Sequence, residues 1–463
     1  MWPVIRRPGT PKLAPHRRFT REIPASEPAP SPTRWSGLYS GEPETCRRDY
    51  RHFLPVLTHL ALLFGVFRVF RVEGPGFQSL VLISLGALPI HYLAPFRWKK
   101  PLFLATSGVG LFWIFGLEIS SYVLAFAALL IGACRLPVNW IIRAGAVGGL
   151  AAVFAALRPG ALGSIIPETV WPVLATLFMF RMVIYLYELK HAKSPEPLMD
   201  ALNYFFLLPN FCFTHFPVVD YRTFQRSFFA KDVHATQRTG LQMMFKGTTH
   251  LLLYRVLYHE MLIRPEDVHG PLALCGFLVC NYLMYLHVSG QFHVACGMIH
   301  LFGYSLPETH RHYLLAESFT DYWRRINIYW KDFMVRVVFN PVVFRLKKWP
   351  QPRALALATA VVFVTTWFLH AYQMFWISGS WGFSPQDGLF WGILGLLVMV
   401  NVQLDARRTC ARKARIDAED PRGWLIRAVK TSATFATIAL LWSLWTCPSL
   451  ETWIDMLRRG ITG

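Results

Sequence analysis

The chain has 463 residues, 54% of them hydrophobic and 16% charged, with a mean hydropathy of +0.33. Soluble domains carry about 25% charged residues, so the composition excludes an ordinary soluble enzyme and predicts a polytopic membrane protein. The net charge of +20 does not signal nucleic acid. Lys and Arg gather in loops between apolar runs, as at Arg97-Trp98-Lys99-Lys100 and Lys347-Lys348, where they hold loops on the cytoplasmic side. No motif interleaves them with base-reading chemistry. The eight cysteines show no paired metal-ligand spacing, and neither a disulfide framework nor a bound metal is expected.

In chain order, residues 1–50 hold nine prolines and many arginines and read as a disordered basic cytoplasmic tail. Apolar runs long enough to cross a hydrocarbon layer of ~30 Å follow at about 52–73, 77–95, 101–117, 119–134, 138–157 and 168–188. These form a scaffold over 51–195. Further runs lie near 200–214, 242–262, 269–287, 291–304, 354–377, 386–404 and 430–447, within a polar-interrupted core over 196–460. The fold class is all-α, with about 10–12 transmembrane helices. Segment 318–348 combines an apolar stripe (Trp323, Trp330, Phe333, Val337, Val338) with a basic one (Arg324, Arg325, Lys331, Arg336). That pattern predicts an interfacial amphipathic helix.

Two polar residues stand out. His370 lies in the apolar run Thr366-Trp367-Phe368-Leu369-His370, and Asn327 lies 43 positions earlier, in the basic aromatic segment. An ionisable group in a spanning helix is costly and is a functional candidate by default, and histidine is the side chain best suited to move a proton near neutral pH. The plain alternative is a structural helix–helix hydrogen bond. His287, His293 and His300 sit six and seven apart with no acid beside them in sequence, a poor metal set. Asp220 and Arg222 read as a structural pair.

Three motifs occur in order: Tyr285-Leu286-His287-Val288-Ser289-Gly290-Gln291, Leu301-Phe302-Gly303-Tyr304-Ser305-Leu306-Pro307-Glu308, and Ser318-Phe319-Thr320-Asp321-Tyr322-Trp323-Arg324-Arg325. Upstream of them lies Phe216-Pro217-Val218-Val219-Asp220-Tyr221-Arg222. Together they resemble the membrane-bound O-acyltransferase family (MBOAT), in its bacterial branch that acetylates alginate and D-alanylates teichoic acid. The resemblance implies a helical bundle around a central tunnel, with His370 as catalytic base. Asn327 falls where this branch commonly has a second histidine and other branches have asparagine. The implied donor is a cytoplasmic thioester, acyl-CoA or an acyl-carrier protein, used as co-substrate with no bound cofactor. The implied acceptor is a hydroxyl of a glycan, lipid or small molecule outside the cytoplasm, with acetyl as the default group. Trp323, Arg324, Arg325, Ser289, His287 and His293 are the implied substrate contacts. An acidic carrier protein or a periplasmic enzyme is a further expected partner, and the cell inner membrane the expected location. The rival readings are a proton-coupled transporter and a non-catalytic scaffold of the same family.

Overall fold

The computed structural model describes residues 36–158, 166–191, 196–213, 219–410 and 421–463. Part of the Phe216–Arg222 motif, and most of the predicted tail, therefore lies outside the described residues. Residues 36–49 are ordered: strands Ser36–Gly37 and Arg48–Asp49 pair antiparallel. Arg48 binds both Glu42 oxygens, at 2.7 and 3.1 Å, and the Tyr92 and Ala94 carbonyls. Residues 36–49 of the predicted tail therefore have a defined fold, because this ion pair ties them to the end of the second long helix.

The described chain is almost entirely helical. The amino-terminal half comprises α1 (Tyr50–Val69), α2 (Pro75–Leu93), α3 (Phe96–Arg135), α4 (Trp140–Leu157) and α5 (Val170–Lys190). Two short helices follow, α6 (Leu198–Phe205) and α7 (Tyr221–Ser227), and then α8 (Val233–Val256), α9 (Gly270–Leu283) and α10 (Leu286–Leu301). Three short pieces come next: α11 (Phe319–Arg325), α12 (Ile328–Met334) and α13 (Asn340–Arg345). The chain closes with α14 (Gln351–Ser378), α15 (Pro385–Cys410), α16 (Pro421–Thr446) and α17 (Leu450–Thr462).

Nine helical segments among the described residues, counting α9 and α10 together as Gly270–Leu301, are long and apolar enough to cross a membrane. One is double: α3 breaks at Gly116 (φ 74°), a conformation glycine adopts without steric cost, leaving halves of spanning length where two separate runs were predicted. The run near 200–214 is not a span. It folds as α6 and a 3₁₀ turn, Leu208–Phe211, and both are buried.

Burial orders the bundle. In α5, 72% of the apolar window is inside, against 11–39% in the other candidate spans. All of α10 except His287 and Val288 is buried. Both helices form the interior, and the others turn apolar surface outward, as a lipid environment permits.

α8 and α10 meet backbone to backbone. A Cβ on Gly247 would lie 2.6 Å from the Gly290 carbonyl oxygen, and one on Gly297 would lie 2.5 Å from that of Gly240. The two glycines recur every seven residues on each helix. Small residues that let backbones approach are the usual device of helix pairing in lipid, where van der Waals contact replaces the hydrophobic drive.

Gly247→Val should destabilise the fold by at least the 1–3 kcal/mol typical of overpacking. Gly149→Ala, which meets nothing within 4 Å, should be within about 0.5 kcal/mol of wild type. Thermal unfolding in detergent reads both, and equal midpoints would contradict the close contact.

Candidate functional site

Segment 318–348 is not one helix. Ser318 caps α11, its Oγ accepting from the Asp321 N–H at 3.2 Å. α11 ends at Ile326 in extended backbone, and Asn327 then adopts the left-handed conformation (φ 38°, ψ 67°). Asparagine tolerates this region better than most residues because its short polar side chain bonds locally. Here Asn327 Oδ1 accepts from the Trp330 N–H at 3.2 Å and starts α12. The Ile328 N–H donates to the Thr309 carbonyl at 2.8 Å, and Tyr329 O–H donates to the Pro307 carbonyl at 2.7 Å. The turn is thereby fastened to the loop after α10. The apolar stripe follows the break inward: Phe333 is buried, and Trp323 and Trp330 face the interior.

This turn brings Asn327 to a cavity of about 440 Å³ that His370 also lines. The walls come from α5 (Phe180, Arg181), α10 and the residue that precedes it (Val288, Phe292 and Tyr285), the α11–α12 turn, and α14 to α16. His370 sits among three indoles: Trp391 at 4.8 Å, Trp330 at 5.7 Å and Trp445 at 6.0 Å between ring centroids. The first comes from α15, the second from α12 and the third from α16, so three elements fix the imidazole's position. Since Asn327 Oδ1 is committed to its cap, the amide's remaining polar atom is Nδ2, a donor.

Two charged groups in the wall have their own partners. Arg181, 2% exposed, donates from Nη1 to the Tyr204 carbonyl at 2.7 Å and lies over the Tyr204 ring. Asp387 caps the first turn of α15 with Ser384 and accepts from the indole N–H of Trp445. Trp323 lines the cavity and packs on Phe363 at 4.7 Å. Arg325 is paired with Asp321 at 2.8 Å. Arg324 is exposed on the same helix, outside the lining.

Ser289, His287 and His293 are not in the cavity wall. His287 Nε2 lies 2.8 Å from Glu73 Oε1, brought from the α1–α2 turn, so the acid missing from its sequence neighbourhood is supplied across space. Ser289 Oγ meets His250 Nδ1 at 2.9 Å, and His293 Nδ1 donates to the Ser289 carbonyl at 2.5 Å. His310, in the loop after α10, is buried. It meets Tyr285 O–H at 2.9 Å, and its ring lies 5.6 Å from that of His293. This second polar cluster touches the cavity through Tyr285 alone among these residues.

Asp220 pairs with Arg336 at 3.0 Å rather than with Arg222, whose guanidinium donates to the His191 carbonyl. Burial opposes ionisation of Asp220, but two bonds from Thr223 and the charge of Arg336 outweigh it and hold the carboxyl below its usual range.

The sequence reasoning missed Arg181, Asp387, Trp391 and Trp445. Arg181 carried a usable signal, a charge inside an apolar run. The tryptophans carried none, since an aromatic in a spanning helix is ordinarily packing or an anchor.

Comparison of the chain with known protein families matches no family model, and comparison with curated proteins finds no relative.

If Asn327 is a cap in left-handed backbone, Asn327→Ala should cost about 1–2 kcal/mol. Asn327→Gly, which meets the dihedral freely, should cost only a few tenths. Detergent melts separate them. A harmless alanine variant would remove the capping role.

Proposed function

We propose that this multi-pass membrane protein is an O-acyltransferase, moving a short acyl group, acetyl by default, from a thioester to a hydroxyl. The observation that carries the reading is the common cavity: residues 327 and 370, distant in sequence, line one space between the helices. The motif resemblance selects acyl transfer among the reactions that an imidazole and an amide serve.

In this reading His370 takes the proton of the acceptor hydroxyl as its oxygen attacks the thioester carbonyl. The tetrahedral oxyanion accepts from Asn327 Nδ2, the carbon–sulfur bond breaks, and the imidazolium returns its proton to the departing thiolate. The products are an ester and a thiol, with no net proton change. A positioned base is worth about 10²–10⁴ in rate, and one oxyanion donor about 2.7–4 kcal/mol. The indole of Trp391, tilted 33° to the imidazole at 4.8 Å, would supply part of the imidazolium's stabilisation. A cation over an aromatic face gains about 0.5–1 kcal/mol at exposed sites and about 2 or more when desolvated. Trp323 would flank the donor's path. Arg324, exposed on the preceding helix, remains able to meet donor phosphates or an acidic carrier protein.

The buried imidazoles at 293 and 310, with the half-buried one at 250, favour a second reading, proton-coupled transport. The two make opposite claims about purified protein. Vesicles reconstituted with the chain, acyl-CoA and a panel of hydroxyl acceptors should form ester and free thiol, and should show no acceptor-driven proton uptake. Proton uptake without thiol release would favour the transporter.

Three variants test the roles. His370→Ala should abolish thiol release while the melting midpoint stays within about 1 °C of wild type, a shift worth about 1 kcal/mol at this chain length. Asn327→Asp keeps the cap acceptor but loses the donor, and should fold normally with kcat lowered about 10²–10³. Trp391→Leu should lower kcat about 5–30-fold, a loss of 1–2 kcal/mol of cation stabilisation, and Trp391→Phe should recover most of it. Full activity in Asn327→Asp would overturn the oxyanion assignment.

A further inference from the structure

α8 is long enough to span but too polar to be among the nine apolar segments. Its depth is fixed by α1, alongside which it runs in parallel. His52 faces His234 at 5.3 Å, His59 faces Phe245 at 6.0 Å, and the Arg255 guanidinium donates to the Phe70 carbonyl at the far end. α1 is an apolar span of 20 residues, so Phe245 and its neighbour Lys246 lie at its middle depth.

The outward surface of α8 at that depth carries a polar stripe beside exposed Phe245. Arg238, Gln242, Lys246 and Thr249 follow one another at spacings of four, four and three and are all exposed, with exposed His59 beside them on α1. Thr249 satisfies itself by donating to the Phe245 carbonyl at 3.0 Å. Lys246 makes no ion pair among the described residues. Against hydrocarbon, a lysine at the centre of a span costs about 2.5–3.5 kcal/mol. The inner face of the same helix is packed glycine to glycine on α10, so α8 cannot rotate its charges inward.

We propose that this face docks a transmembrane helix of another protein carrying a carboxylate near its middle. The sign of Lys246 selects an acid. A second copy of the chain does not supply one, since its described acidic residues lie away from mid-span. Glu118 follows the Gly116 break, Glu188 is near the end of α5, and Asp387 is in the first turn of α15. A lipid phosphate lies about 15 Å from the bilayer centre, half the hydrocarbon thickness. A helix paired here would place its carboxylate against Lys246 and its amide or hydroxyl groups against Gln242, in a site that does not share the cavity.

The test uses the full chain in phosphatidylcholine vesicles. The probes are two dansyl-labelled Leu-Ala transmembrane peptides, identical except for Asp or Leu at the central position. Energy transfer from the chain's 17 tryptophans reads binding. The Asp peptide should give transfer that unlabelled Asp peptide displaces, and Lys246→Leu should weaken it at least tenfold, with the Leu peptide at background throughout. Arg238→Leu, near the end of the helix, should change it less than threefold, which controls for folding of α8. Equal transfer from both peptides, or transfer unaffected by Lys246→Leu, would overturn the proposal. Cross-linking of wild-type chain into a dimer that Lys246→Leu disperses would overturn it in favour of a second copy. Because no acyl donor is present, the outcome is independent of the acyl-transfer reading.

Discussion

The contact between α8 and α10 is the constraint on which the interior depends. With no side chain at 240, 247, 290 and 297, the two backbones touch, and α10 is held where nearly all of it is buried. One face of α10, with the residue that precedes it, then supplies Tyr285, Val288 and Phe292 to the cavity, and another supplies Ser289 and His293 to the histidine cluster. In lipid, such contact replaces the burial energy that would hold a soluble bundle together.

On the other side of the cavity the decisive feature is a single residue in left-handed backbone. Without Asn327, α11 and α12 would read as one amphipathic helix along the membrane surface. With it, the chain turns, caps α12, and brings an amide to the space that His370 faces. The amide's two ends divide the work: the oxygen belongs to the fold, and the nitrogen is the group that chemistry can use. The imidazole sits among three indoles, drawn from α12, α15 and α16.

The helical spans were legible because a run of apolar residues of fixed length has one stable form in a bilayer, with its backbone groups satisfied within the helix. The pairing of positions 327 and 370 was legible through motif order and through the cost of polar groups in apolar runs. Three things were not. The 318–348 pattern has helical period throughout, and nothing in that period marks a left-handed residue at 327. The acid for His287 comes from Glu73, more than two hundred positions away, and sequence proximity cannot reveal it. Ser289 and His293 stand beside Val288 and Phe292, which line the cavity, but on a helix a shift of one residue turns the side chain by about 100°. Those two therefore face α8 and the histidine cluster instead.

The polar face of α8 and the imidazole cluster behind it are the parts of the molecule that the acyl-transfer reading does not use. The cluster meets the cavity wall through Tyr285, which packs on Trp442 of α16 at 5.5 Å. The central claim concerns the cavity itself. Its most direct test is a structure of the chain with a non-hydrolysable acyl-CoA analogue, in which a methylene replaces the thioester sulfur. The account predicts the acyl carbonyl oxygen within hydrogen-bond reach of Asn327 Nδ2, with the carbonyl carbon facing the His370 ring. An analogue bound elsewhere, with the cavity closed to it, would contradict the account.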